Sequence, residues 1–141
     1  MPKPPAASDA ALRQRLQSAG LRPTPKRMEL GRLVLTGPPR HFSAEQLWRQ
    51  ARDAGIVVSL ATVYNTLNGF VEAGLLRLVD LPTAHGVFDS NTAPHHHLVD
   101  PSDGTILDLD AALVQVQIDP RALPPGMSVQ AIDIVVRIHP T

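Results

Sequence analysis

The stretch "SLATVYNTLNGFVEAG", residues 59–74, decides the fold. Val63, Leu67, Phe70 and Val71 recur at helical spacing, with Ser59 ahead of them as an N-cap and Gly74 behind as a stop. The apolar stripe is to face inward, which leaves Ala61, Thr62, Tyr64 and Asn65 exposed on the first two turns. Immediately upstream, "FSAEQLWRQARDAG" (42–55) is a second amphipathic segment. Ser43 and Gln46 form a capping box, Ala44, Leu47, Trp48 and Ala51 form the inner stripe, and Gly55 ends the helix.

Further upstream, Thr24 caps a helix that has Pro25 at its first position and Met28, Leu30, Leu33 and Val34 for burial. A short helix after Ser8, with Leu12 and Leu16 one turn apart, precedes it and stops at Gly20. Residues 1–8 read as a disordered lead-in. Downstream the period changes to two. "LLRLVDL" (75–81) and "GVFDS" (86–90) flank a Pro/Gly turn and predict a β-hairpin.

Short helices followed by a hairpin predict a winged helix-turn-helix domain over residues 9–91, with the two helices joined by "AGIVV" (54–58) as its core pair. The fourth helix would then enter a DNA major groove by its N-terminal half. Ser59, Thr62 and Tyr64 offer hydroxyls suited to phosphates, and Asn65 an amide suited to adenine. Arg22, Thr24, Lys26 and Arg27 add contacts to the DNA backbone ahead of the second helix.

Charge follows the same division. Residues 1–80 carry eleven Lys/Arg against six Asp/Glu, and residues 81–141 carry two against seven. A basic half suits a polyanion. With no cysteine in the chain, disulfides, thiolate metal sites and thiol switches are excluded. No apolar run is long enough to span a membrane and no secretory signal pattern opens the chain, so a cytoplasmic protein is expected.

Beyond Asn91 the pattern differs again. Residues 92–94 read as a hinge and 95–141 as a small α/β domain. "HHHLVD", the turn "PSDG" and "TILDLD" predict a hairpin; "AALVQVQID" is a short helix or irregular. "SVQAIDIVVRI" predicts a third strand with Val129, Ile132, Ile134 and Val136 apolar. A sheet of this size buries little of its own surface, so a homodimer is expected. Within the first strand, His95 and His97 must face one way and His96 the other. His95 and His97 make a two-nitrogen chelate. Asp89 can add a carboxylate and His41 a further imidazole, a set suited to zinc, manganese or iron(II). The same residues would also serve a non-haem iron enzyme with two histidines and a carboxylate, although such an enzyme has no use for a basic helical half.

Taken together, "GLRPTPKR", "HFSAEQLW", "SLATVYNTLNGFVEAGLL", "VFDSNTAPHHHLV" and "IDIVVR" resemble the ferric uptake regulator superfamily, and within it the iron response regulator branch. Asn65 in "ATVYNTL", where most of the superfamily has Arg, and the His triplet point to that branch. The resemblance implies a dimeric transcription factor with a double-stranded DNA operator in iron and haem metabolism. It also implies a regulatory metal at His41, Asp89, His95 and His97, and haem at the triplet His95, His96 and His97. A metal-responsive repressor with no haem role is the alternative. The chain departs from the superfamily at its second metal site, where Gln115 and Ala131 replace an acid and a His. It also lacks the branch's Cys-Pro element.

Overall fold

The computed structural model describes residues 6–81 and 84–141. These divide into two compact units that meet between Thr92 and Ala93.

The first unit holds four helices and one three-stranded sheet. Helices α1 (Ala6–Ser18), α2 (Pro25–Val34), α3 (Ala44–Asp53) and α4 (Leu60–Glu72) are interleaved with strands β1 (His41–Ser43), β2 (Arg77–Leu81) and β3 (Ala84–Asp89). The caps expected for α2, α3 and α4 are present, whereas Ser8 and Asp9, expected at the start of α1, lie inside it. Thr24 Oγ1 accepts from Arg27 N, Ser43 and Gln46 close a reciprocal capping box, and Ser59 Oγ accepts from Thr62 N. These bonds satisfy amides that the first helical turn leaves unpaired.

Helices α3 and α4 end alike. Leu75 N bonds Phe70 O and Gly74 N bonds Val71 O, while Ile56 N bonds Ala51 O and Gly55 N bonds Arg52 O. This crossed pair needs a left-handed residue, which Gly74 (φ 78) and Gly55 (φ 77) provide. The short connection to α4 is braced from inside, because Trp48 Nε1 donates to Val58 O at 3.0 Å with Arg52 over the indole.

The helices enclose a core that includes Leu16, Leu30, Leu47, Leu67 and Phe70, all with no exposed surface. Gly31 lets α1 come close to α2, since a Cβ there would meet Leu12 Cδ1 at 3.3 Å. The sheet order is β1-β3-β2, and β1 sets Phe42 opposite Phe88, with rings stacked 5.8 Å apart.

The second unit is a sheet of order β5-β4-β6, built from β4 (His95–Asp100), β5 (Thr105–Asp110) and β6 (Val135–Arg137). Strands β4 and β5 are antiparallel, whereas β6 runs parallel to β4. Short 3₁₀ turns at Ala111–Leu113 and Pro120–Ala122 interrupt the intervening chain. Among the described residues of this unit Val99 is the only buried apolar side chain.

Three expectations need correction. Residues 6–8 of the expected lead-in already belong to α1, and its first five residues lie outside the described ones. Residues 41–43, where the sequence suggested no strand and Phe42 opened the third-helix segment, pair with β3 as a strand. The last strand is confined to Val135–Arg137, so Val129 and Ile132 lie outside it and are exposed. Pro82 and Thr83 of the expected turn are outside the described residues.

Replacing Phe70 by Ala is expected to cost about 3–5 kcal/mol of stability, as truncation of a fully buried aromatic does. Gly74→Ala, with open space around its Cβ but a left-handed φ, is expected to cost roughly 1 kcal/mol. Urea unfolding of both variants checks the pair, and an unchanged Gly74→Ala midpoint would contradict the left-handed closure.

Candidate metal centre and nucleic-acid face

Two sets of ligand-type side chains arise, one in each unit. In the first, the register of β1 on β3 sets His41 opposite Asp89. His41 Nε2 lies 3.1 Å from Asp89 Oδ2, and Asn91 N donates to Asp89 Oδ1 at 2.8 Å. Asp89 is completely buried. A carboxylate taken out of water demands a compensating positive charge or strong donors.

In the second unit, alternation along β4 turns His95 and His97 to the buried face, with their Nε2 atoms 3.1 Å apart. The hairpin register sets Asp108 opposite His97. Its Oδ1 lies 3.4 Å from His95 Nε2 and 3.9 Å from His97 Nε2. These three donor atoms all fall within 4.8 Å of one another. The sequence reading missed Asp108. The signal was present, because a four-residue turn between Asp100 and Thr105 fixes which β5 residue faces His97.

Hydrogen bonding then separates the histidines by tautomer. His95 Nδ1 is 2.6 Å from Ala93 O. A carbonyl can only accept, so in the neutral ring Nδ1 carries the proton and Nε2 keeps its lone pair on the side of His97 and Asp108. His96 is the reverse. Its Nδ1 accepts from Ile134 N at 3.2 Å, so in the neutral ring the proton sits on Nε2. The bond occupies Nδ1 and leaves Nε2 outside it. His96 ties the chain leading into β6 to β4.

The donor set of two imidazoles and a carboxylate matches zinc, manganese or iron(II). Tetrahedral Zn–N bonds of 2.0–2.1 Å place two imidazole nitrogens about 3.3 Å apart, close to the observed spacing.

Within the helices of the first unit and the loop before α2, the expected DNA contacts fall into two groups. Arg22 and Asn65 are exposed. Ser59 Oγ donates to Thr62 Oγ1 at 2.9 Å, and Tyr64 Oη donates to Glu45 Oε1 at 2.7 Å. Lys26 and Arg27 are less available than expected. Lys26 Nζ bonds Val57 O and Glu29, and Arg27 Nη1 bonds Arg22 O, so both also serve as internal braces. Thr24 is occupied as a cap.

The ferric uptake regulator family model matches residues 18–137. The chain belongs to the ferric uptake regulator family. It is similar to the ferric uptake regulation protein of Pseudomonas aeruginosa, at 34% identity over 72% of this chain and 78% of that one. A counterpart from Vibrio anguillarum is 32% identical over 72% of this chain and 69% of its own. Among solved structures, the Pseudomonas aeruginosa regulator with manganese superposes with a TM-score of 0.69 at 26% identity, covering 90% of this chain and 96% of that one. The Vibrio cholerae regulator, whose DNA-binding domains undergo a structural rearrangement, gives 0.67 at 29% identity, covering 89% and 96%. Family membership places the chain among regulators and sets aside the enzyme alternative.

Long-range proton–nitrogen NMR spectra of the full chain, recorded at alkaline pH without metal, are expected to show opposite tautomers. His95 should carry its proton on Nδ1 and His96 on Nε2. The same tautomer on both rings would contradict the assignment.

Proposed function

We propose that the protein is a cytoplasmic, dimeric, metal-responsive DNA-binding transcription regulator. In this reading its first unit acts as a winged helix-turn-helix. His95, His97 and Asp108 hold a divalent ion of the zinc, manganese or iron class, and His41 and Asp89 are the further ligands that the family resemblance implies. The observation that carries the reading is the convergence of His95 Nε2, His97 Nε2 and Asp108 Oδ1, with His95 Nδ1 turned to the Ala93 carbonyl. When bound, a divalent cation supplies concentrated positive charge to the carboxylates that ligate it. No helix among the described residues is long and apolar enough to cross a membrane.

The metal-only form of the reading is preferred to a haem-responsive one because His95, His97 and Asp108 bring a nitrogen/oxygen donor set together and the similar Pseudomonas aeruginosa regulator was solved with manganese. DNA binding is supported by the basic half of the chain and by the exposed Arg22, Tyr64 and Asn65. Dimerisation is supported by the second unit's surface. Leu107, Leu113, Val116 and Met127 are exposed on a unit that buries one apolar side chain among the described residues, more apolar surface than so small a unit normally leaves in water.

Three outcomes test the proposal. Asp108→Ala and His97→Ala should each weaken metal affinity about a hundredfold, at or beyond the upper end of what losing an outer-shell partner costs, while His96→Gln leaves it unchanged. Metal-loaded protein should recover a defined duplex from a random pool, and its affinity for that duplex should fall steeply with salt as phosphate contacts release counterions. Chelation should abolish that binding. Sedimentation equilibrium should give a dimer, and Leu113→Asp should shift it toward monomer. A protein that binds DNA equally with and without metal would overturn the regulatory reading.

A further inference from the structure

The pair formed by Tyr64 and Glu45 is not accounted for by any site described above. Tyr64 lies on the second turn of α4, partly exposed, and Glu45 in the first turn of α3. The 2.7 Å bond between them joins the two helices across their exposed side. A phenol has one proton, and an ionised carboxylate can only accept. Once Tyr64 has donated to Glu45, its oxygen has only lone pairs left to offer. A phosphate, which also only accepts, would find no donor there and would be repelled by Glu45.

We propose that Glu45 sets the polarity of the reading face. By taking the only proton of Tyr64 it makes Oη an acceptor, directed at a base amino group, the N4 of cytosine or the N6 of adenine, and not at the DNA backbone. These amino groups are the donors that a major groove presents. Thr62 shows the contrast. Its oxygen accepts from Ser59, which leaves its own hydroxyl proton for a phosphate. Glu45 is thus a positioning residue acting through Tyr64, and the inference rests on the DNA-binding reading above. The shared proton has an electrostatic signature as well. The hydrogen bond to Glu45 raises the Tyr64 phenol above its ordinary range, and the same bond, followed by Glu45's own backbone amide, holds that carboxyl below the usual one.

Tyr64 is the only tyrosine in the chain, so its ionisation can be read directly by ultraviolet absorbance on the full-length protein. The phenol should titrate above the ordinary value near 10 in the wild type and return toward it in Glu45→Ala. Identical titrations would overturn the pairing without reference to DNA. The second arm uses the duplex selected by the wild type, compared with an unrelated duplex of equal length. Tyr64→Phe and Glu45→Ala should each lose about tenfold in discrimination, the value of one well-made hydrogen bond. Glu45→Gln, whose carbonyl still accepts, should retain it. Duplexes in which single adenines are replaced by purine, or single cytosines by 2-pyrimidinone, should include one that weakens the wild type but not Tyr64→Phe.

If Tyr64→Phe weakens every duplex by the same factor, or no amino-group deletion separates it from the wild type, Tyr64 contacts the backbone and the proposal falls. Failure to select any duplex would remove this proposal together with the DNA-binding reading. A selected duplex with uniform Tyr64→Phe losses removes this proposal alone.

Discussion

A β-strand can turn only every second side chain toward one face, and three consecutive histidines in β4 are divided by that rule. His95 and His97 go to the buried face and His96 to the other. Everything chemical about the second unit follows from this division. The buried pair meets Asp108 from the neighbouring strand, and the remaining ring is spent on the backbone of the chain entering β6. Identical side chains acquire opposite proton placements because one faces a carbonyl and the other an amide. A one-residue slip of β4 would exchange the roles.

The two units differ in what holds them together. The first encloses a continuous apolar core, with each helix capped at its start or closed by glycine at its end. It has the means to be stable alone. The second relies on strand pairing, side chain-to-backbone bonds such as Asp100 to Ser102 and Asp110 to Ala112, and one buried valine. Exposed apolar side chains there make association with a second copy the natural completion of its core.

Local signals were legible in the sequence. Caps at Thr24, Ser43 and Ser59 and the glycine stops depend on neighbours a few residues away, so pattern reading found them. The pairing of His95 with His97 was equally legible, since it follows from alternation. What was not legible depends on distant partners. His41–Ser43 is too short to show a strand period and exists as one because β3 accepts it. The final strand was overextended because apolar alternation at Val129 and Ile132 resembles a strand whether or not a neighbour is there to pair with it. Lys26 and Arg27 also donate to the carbonyls of Val57 and Arg22, a bracing that the sequence pattern does not announce. Glu45 stands in the sequence as a first-turn acid of α3, and only the packing of α3 on α4 brings it to Tyr64.

The lone tryptophan has an optical consequence. Its indole nitrogen is held by the Val58 carbonyl, one residue before the cap of α4, with a guanidinium over the ring. Emission from this single fluorophore therefore reports on the joint between α3 and α4 and on little else. Any event that loosens that joint, whether a ligand, a partner or a substitution, writes itself into the spectrum without a label.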